Sequence, residues 1–139
     1  MKPLRKVLLL VGFSLLTACG GLDIYNAKNV DISTAKVGMK AIEKAVITAG
    51  TNRGWIMRKV EKGKVKGTLH VRNKHMAEVL VTYNEKNFNI DYAGSKNLKY
   101  DPQERTIHRN YNSWVKNLEN DILILLTHYQ FICFYVCYN

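Results

Sequence analysis

Residues 68–92 read TLHVRNKHMAEVLVTYNEKNFNIDY, and this stretch decides the fold. Leu69 and Val71 alternate with Thr68, His70 and Arg72. Ala77, Val79, Val81 and Tyr83 alternate with Glu78, Leu80 and Thr82, and Phe88, Ile90 and Tyr92 alternate with Asn89 and Asp91. A period of two means strands with one face in a core and the other toward solvent. The interruptions at Asn73–His75 and Asn84–Asn87, and an earlier one at Glu61–Lys64, are short and rich in turn formers. A strand from Trp55 to Val60 completes a four-stranded antiparallel meander.

Upstream, Val37, Ala41, Ala45, Val46 and Ala49 recur at three- and four-residue spacing, with Lys36, Lys40, Glu43 and Lys44 opposite. That pattern predicts a helix from Ala35 to Ala49, capped by Ser33 or Thr34 and ended by Gly50-Thr51-Asn52. Its small apolar residues suit close packing on a sheet. Downstream, Gly94–Thr106 reads as a polar connection containing Pro102. Ile107, Tyr111, Trp114, Val115, Leu118, Ile122 and Leu125 then form one stripe of a second helix. The expected fold class is α+β: N-terminal helix, four-stranded antiparallel meander, and C-terminal helix packed on one face of the sheet.

The chain has 139 residues, enough for one modest core and too few for two ordinary domains. An apolar fraction of 47% and a charged fraction of 23% exclude wholesale disorder, and three Cys exclude a disulfide scaffold. With 21 Lys+Arg against 11 Asp+Glu, the formal charge is +10.

The N-terminus sets the compartment. Lys2, Arg5 and Lys6 precede an uncharged apolar run from Val7 to Leu16, half the length a membrane-spanning helix needs. The run ends in Leu16-Thr17-Ala18-Cys19. These four residues resemble the lipobox of bacterial lipoproteins, Leu-(Ala/Ser/Thr)-(Gly/Ala)-Cys, at every position. The resemblance implies that residues 1–18 are a signal peptide. It also implies that Cys19 becomes the N-terminus, carrying a diacylglycerol on sulfur and a palmitate-type acyl chain on nitrogen. Two or more chains anchor stably where one does not. Gly20 stands where Asp would mark inner-membrane retention, so the resemblance implies the outer membrane, facing the periplasm. Without Lys2, Arg5 and Lys6 the 21 basic residues become 18, and the mature chain is still +7.

Expected boundaries follow: 1–18 signal peptide, 19–33 tether, 34–126 periplasmic domain, 127–139 aromatic C-terminal tail. From Ile122 to Tyr138 there is no formal charge, and Tyr129, Phe131, Phe134, Tyr135 and Tyr138 crowd the end. A tail packed on the domain is the favoured reading; a second membrane contact and a frame-altered end are the alternatives.

The run Ile107-His108-Arg109-Asn110-Tyr111-Asn112-Ser113-Trp114-Val115-Lys116-Asn117-Leu118, led by Gly54-Trp55, Gly67-Thr68-Leu69 and His75-Met76-Ala77, resembles a group of small uncharacterised lipoproteins of Gram-negative bacteria. The similarity covers about residues 53–125. It implies an envelope lipoprotein that ends soon after the last helix, so the tail from Tyr129 departs from it. No catalytic residue comes with it.

Candidate sites are few. His70, His75, His108 and His128 lack the helical spacing of a hydrolytic zinc site, and no Gly-x-Ser-x-Gly elbow, Walker loop or paired-carboxylate motif is present. The expectation is no enzyme, no catalytic residue, no cofactor and no metal; convergence of His70, His75 and His108 is the enzyme alternative. Cys133 and Cys137 pair or stay free. Arg58, Lys59, Lys62, Lys64, Lys66, Arg72 and Lys74, opposed only by Glu61, are candidate contacts to an anionic surface, against the plain reading of a solvated sheet edge. His108, Arg109, Asn110 and Asn112 are the candidate recognition patch. Tyr92, Tyr100, Tyr111 and Trp114 are further candidates for a recognition surface, of which Tyr111 and Trp114 fall on the core stripe and read as packing. No base-reading motif points to nucleic acid. The expected partners are the membrane, through the acyl chains, and an envelope protein or lipopolysaccharide. A periplasmic inhibitor or immunity-type protein is the alternative.

Overall fold

The computed structural model describes residues 21–137, so the signal peptide and Cys19 lie outside the described residues. The elements in order are β1 (Leu22–Asp23), β2 (Ala27–Asp31), a 3-10 turn (Ser33–Ala35), α1 (Met39–Asn52), β3 (Trp55–Glu61), β4 (Lys64–Val71), β5 (His75–Tyr83), β6 (Asn87–Lys96), β7 (Thr106–Ile107) and α2 (Arg109–Cys137). The class is α+β. The main sheet has five antiparallel strands in the order β2-β6-β5-β4-β3, one more than the expected four.

The additional strand comes from the segment expected to be a tether. β2 pairs with β6 at Ala27↔Ile90, then, after a bulge, at Val30↔Phe88 and Asp31↔Asn87. Ala27 and Ile32 are buried. Without β2 the long strand β6 would leave its ladder groups unpaired along an edge. β1 pairs with β7 as a separate two-stranded ribbon, Leu22↔Ile107 and Asp23↔Thr106. The ordered domain therefore begins by residue 21, not at residue 34.

The first helix also starts later than expected. Ser33 and Thr34 do not cap it; they form the 3-10 turn, where the Ser33 N–H donates to Asp31 Oδ1 at 2.8 Å. Lys36 then turns left-handed at φ 50°, and α1 begins after Gly38. The buried stripe is Ile42, Ala45, Val46, Ala49 and Gly50, with Ala41 and Val37 only half-buried at its margin. Small residues bring α1 close over β3, β4 and β5. A Cβ on Gly50 would stand 2.3 Å from Met57 Sδ, and one on Gly67 would stand 3.0 Å from the same sulfur. The two glycines thus form the slot that holds Met57 between helix and sheet. Tyr83 Oη and Lys59 Nζ both donate to Glu43, at 2.8 and 3.1 Å, fixing α1 to β5 and β3.

α2 starts after His108, whose Nδ1 accepts the Asn110 N–H at 3.2 Å. Tyr111, Val115, Leu118, Ile122 and Leu126 are buried in steps of three and four, while Trp114 and Leu125 flank the stripe half-buried. α2 runs antiparallel to α1, since Arg53 meets Asp121 and Lys44 meets Tyr129. Both helices cover the same sheet face, and no element among the described residues covers the other.

No break sets the tail apart, because α2 continues through it to Cys137. Packing stops at half-buried Tyr129; Phe131, Ile132 and Tyr135 are exposed, so the expected packed tail holds only for its first turn. No helix among the described residues is long and apolar enough to cross a membrane.

The sheet has two distinct ends. At the far end the β3–β4 turn meets the end of β5 and the start of α1: the Tyr83 N–H donates to the Gly63 carbonyl at 2.9 Å, and Met39 Cε lies 3.6 Å from a Cβ built on Gly63. At the near end, Asn97 Nδ2 donates to the Lys74 carbonyl and His75 Nδ1 lies 2.9 Å from the Asn97 carbonyl. The His108 N–H donates to the Leu98 carbonyl at 2.9 Å, and Gly21 enters the fold there beside Thr106.

Candidate functional site

The sheet disperses the basic segment of residues 58–74. Lys62 sits in the β3–β4 turn at the far end, while Arg72 and Lys74 sit in the β4–β5 turn at the near end. An eight-residue strand separates those turns by roughly 25 Å. Within the segment, Lys59 points to the helix side and bridges Glu43 at 2.9 Å, Lys64 bridges Glu61, and Lys66 bridges Glu78 at 2.9 Å. The Glu43 and Glu61 carboxyls are held below their ordinary range, Glu43 by hydrogen bonds from Lys59 and Tyr83, Glu61 by the hydrogen bond and charge of Lys64. The seven residues do not form one anionic-surface patch, because a run of charges in a hairpin is split by strand direction and by face.

The recognition patch divides as well. Asn112 is a clamp: its Oδ1 accepts the Tyr25 N–H at 2.9 Å, and its Nδ2 donates to the Asp23 carbonyl at 2.8 Å. His108 holds the first turn of α2. Arg109 and Asn110 are exposed, and Arg109 lines a cleft of about 740 Å³ with Gly21, Leu22, Lys99, Asp101, Glu104, Thr106 and His108. The aromatic residues pack rather than face solvent. Tyr92 stacks on Tyr100 with centroids 4.4 Å apart and meets buried Tyr111 edge-on at 5.6 Å. Burial pushes the Tyr111 hydroxyl well above its usual pKa.

His70 and His75 share a smaller cleft, but His108 lines the other one, so the three histidines do not converge. Among the described residues no group of three His, Cys, Asp or Glu side chains is placed to hold a metal ion. Cys133 and Cys137 both fall on α2.

The sheet face that no element among the described residues covers brings two of the expected basic contacts, Arg58 and Lys66, together with residues not expected at a site. Its outward positions include Ile56, Arg58 and Val60 on edge strand β3, Lys66, Thr68 and His70 on β4, and Glu78 and Leu80 on β5. Ile56 is 51% exposed and Val60 59%. Arg58 stands directly opposite Lys66 in the ladder, a like-charge pairing that opposes strand association. Lys66 is neutralised by Glu78; Arg58 has no ion-pair partner among the described residues. Ile56, Arg58, Lys66, Thr68, His70 and Glu78 line one shallow depression of about 320 Å³. Its signal was available, since these are the polar-phase positions of the same period-two strands. The basic loop residues Lys99 and Arg105 at the near end had no such pattern.

The architecture is thus a two-helix layer on a five-stranded antiparallel sheet, with an open sheet face and a basic near end. No protein-family model matches the chain, and no curated protein or solved structure matches it.

Proposed function

We propose that the chain is a bacterial envelope lipoprotein, cut before Cys19, held at the outer membrane by acyl chains and facing the periplasm. In this reading its domain is non-catalytic and binds a protein partner across the open sheet face. The anchoring rests on the sequence Leu16-Thr17-Ala18-Cys19 after a short charged and apolar leader. The observation that carries the binding role is Arg58, an exposed guanidinium with no ion-pair partner among the described residues, flanked on its own strand by exposed Ile56 and Val60. Interfaces favour such a group: arginine offers five donors in a rigid fork, and adjacent apolar side chains exclude water around it. The fitting partner presents a carboxylate to Arg58 and apolar contacts to Ile56 and Val60.

In-cell crosslinking of the full chain, followed by purification and mass spectrometry, tests this. One dominant protein at near-equal amount is expected, with recovery falling at least tenfold in Arg58→Glu while the thermal melt is unchanged. Recovery of lipid or lipopolysaccharide alone, or of a protein indifferent to Arg58→Glu, overturns the binding role. A captured enzyme or toxin whose activity the chain blocks would place it among inhibitors or immunity-type proteins.

A further inference from the structure

The near end carries a second surface, set by how little chain separates it from Cys19. Gly21 is seated flush on β7: a Cβ there would lie 3.0 Å from Thr106 Cβ and 3.1 Å from the Ile107 nitrogen. Leu22 pairs with Ile107, the Ile24 N–H donates to the Arg105 carbonyl at 2.9 Å, and Asn112 clamps Asp23 and Tyr25. The domain is pinned from residue 21 onward. Two residues of fully extended chain reach at most about 7 Å. With Cys19 acylated, Gly21 therefore sits within about one Debye length of the lipid head groups at physiological salt. A flexible tether of a dozen residues would leave the orientation free; this link does not.

That end is built from Arg72, Lys74, Lys96, Lys99, Arg105 and Arg109, with Asp23, Asp101 and Glu104 as its acids. Asp101 is occupied locally, its Oδ1 accepting the Gln103 and Glu104 N–H groups. Leu22, 56% exposed, stands beside the entry point as an apolar side chain available to the interface. The backbone is unusual there. Arg72, Asn73, Asn97, Lys99 and Arg105 all adopt left-handed conformations, φ 50–58°, which disfavour side chains bearing a Cβ. Such conformations persist only where surrounding structure imposes them, and they gather at functional segments. The far end is comparably basic, with Lys36, Lys62, Lys64 and Lys86, so charge alone does not distinguish the two. Reach does, because the length of β4 places the far end outside the screening distance.

We infer that the near end is a membrane-seating surface, in which Lys74, Lys99, Arg105 and Arg109 contact anionic phospholipid head groups of the leaflet that holds the acyl chains. The domain then stands upright on the membrane, with its open sheet face turned sideways to the periplasm. Each basic residue at such a surface strengthens association about fivefold. The inference rests on the proposed acylation of Cys19, and the test separates the two.

Mature full-length protein is reconstituted into phosphatidylcholine vesicles with or without phosphatidylglycerol. A photoreactive benzoylphenylalanine replaces Glu104 at the near end or Glu85 at the far end, both exposed turn residues. The expected result is phospholipid adducts at position 104 at least fivefold above those at 85. Phosphatidylglycerol should be preferred, with the preference lost in Lys99→Gln combined with Arg105→Gln. Equal adducts at both positions, or no head-group preference at 104, overturns the inference. In intact cells the same probe should yield phospholipid adducts; lipopolysaccharide adducts in their place overturn the chosen lipid. The mass of the N-terminal peptide is read in the same samples. An unacylated Cys19 fails the anchoring reading and this inference together, whereas acylated Cys19 with far-end adducts fails this inference alone.

Discussion

Replacing Asn112 with Ala separates the structural account of α2 from the recognition role its sequence suggests. The side chain makes two hydrogen bonds to backbone groups nearly ninety residues earlier, Tyr25 N–H to Oδ1 and Nδ2 to the Asp23 carbonyl. Each such bond contributes a net ~1 kcal/mol, and the half-buried Tyr25 N–H left without its acceptor adds to the loss. The expected cost is about 2–3 kcal/mol, near the upper end of ordinary point substitutions. For a domain slightly above 100 residues that corresponds to a Tm lower by roughly 8–12 °C. If only residues 21–26 come free, the loss is instead local, and exchange of the Tyr25 amide accelerates about thirtyfold or more. Thermal melting by circular dichroism and hydrogen exchange of the N-terminal peptide read the two cases. Asn112→Asp retains an acceptor for Tyr25 but sets a carboxylate oxygen against the Asp23 carbonyl, so at least half the effect is expected. Unchanged melting and exchange in Asn112→Ala, together with lost partner capture, would refute the clamp and restore Asn112 to a recognition surface.

Other substitutions probe the rest of the fold. Tyr111 is fully buried and its hydroxyl has no partner among the described residues, so Tyr111→Phe should stabilise by about 1–3 kcal/mol; a lower Tm would show that the hydroxyl is satisfied. Gly67→Val forces a branched side chain against Met57, Val79 and Trp55, and should cost about 1–3 kcal/mol by denaturant melt; a neutral result would mean the Met57 slot is loose. Arg53 donates to Asp121 from Nε at 2.6 Å and Nη2 at 3.0 Å, holding that carboxyl below its ordinary 3.8. A depressed folded value means stability present above pH 3.8 and lost as pH falls through the folded value. The Tm gap between wild type and Arg53→Gln should therefore be widest at neutral pH and narrow as the solution is acidified below 3.8; a gap constant with pH would contradict the pairing.

The strands that carry the core were legible because their alternation is unbroken: each residue from Ala77 to Tyr83 in phase with Val79 is buried, as the pattern requires. β2 was not. Its pairing slips at a bulge between Ala27 and Val30, which removes the alternation, and three of its five residues, Lys28, Asn29 and Asp31, are polar or charged. Ser33 and Thr34 mimic a helix cap, yet the left-handed Lys36 delays the helix, and no local signal marks such a turn at a lysine. The stripe of the second helix is legible over Tyr111–Ile122, but Ile107, its expected first residue, lies in strand β7 instead. Its extension through the tail follows from backbone continuity, not from an apolar stripe, since Phe131 and Ile132 are exposed. The candidate contacts separate in space for a geometric reason. Residues close in sequence on a hairpin lie on opposite faces or at opposite ends, so Lys59, Lys62, Lys66 and Lys74 each meet a different environment. Arg58 survives in the proposed site because its face is uncovered, and Arg109 survives because the chain enters beside it.

Anchoring through Cys19 is tested most directly by the mass of the N-terminal peptide of the protein recovered from bacterial membranes. A chain that begins at Cys19, with a diacylglyceryl group on sulfur and an acyl chain on the α-nitrogen, is the predicted result. A chain that still begins at Met1, or one carrying a free Cys19 thiol, would contradict it.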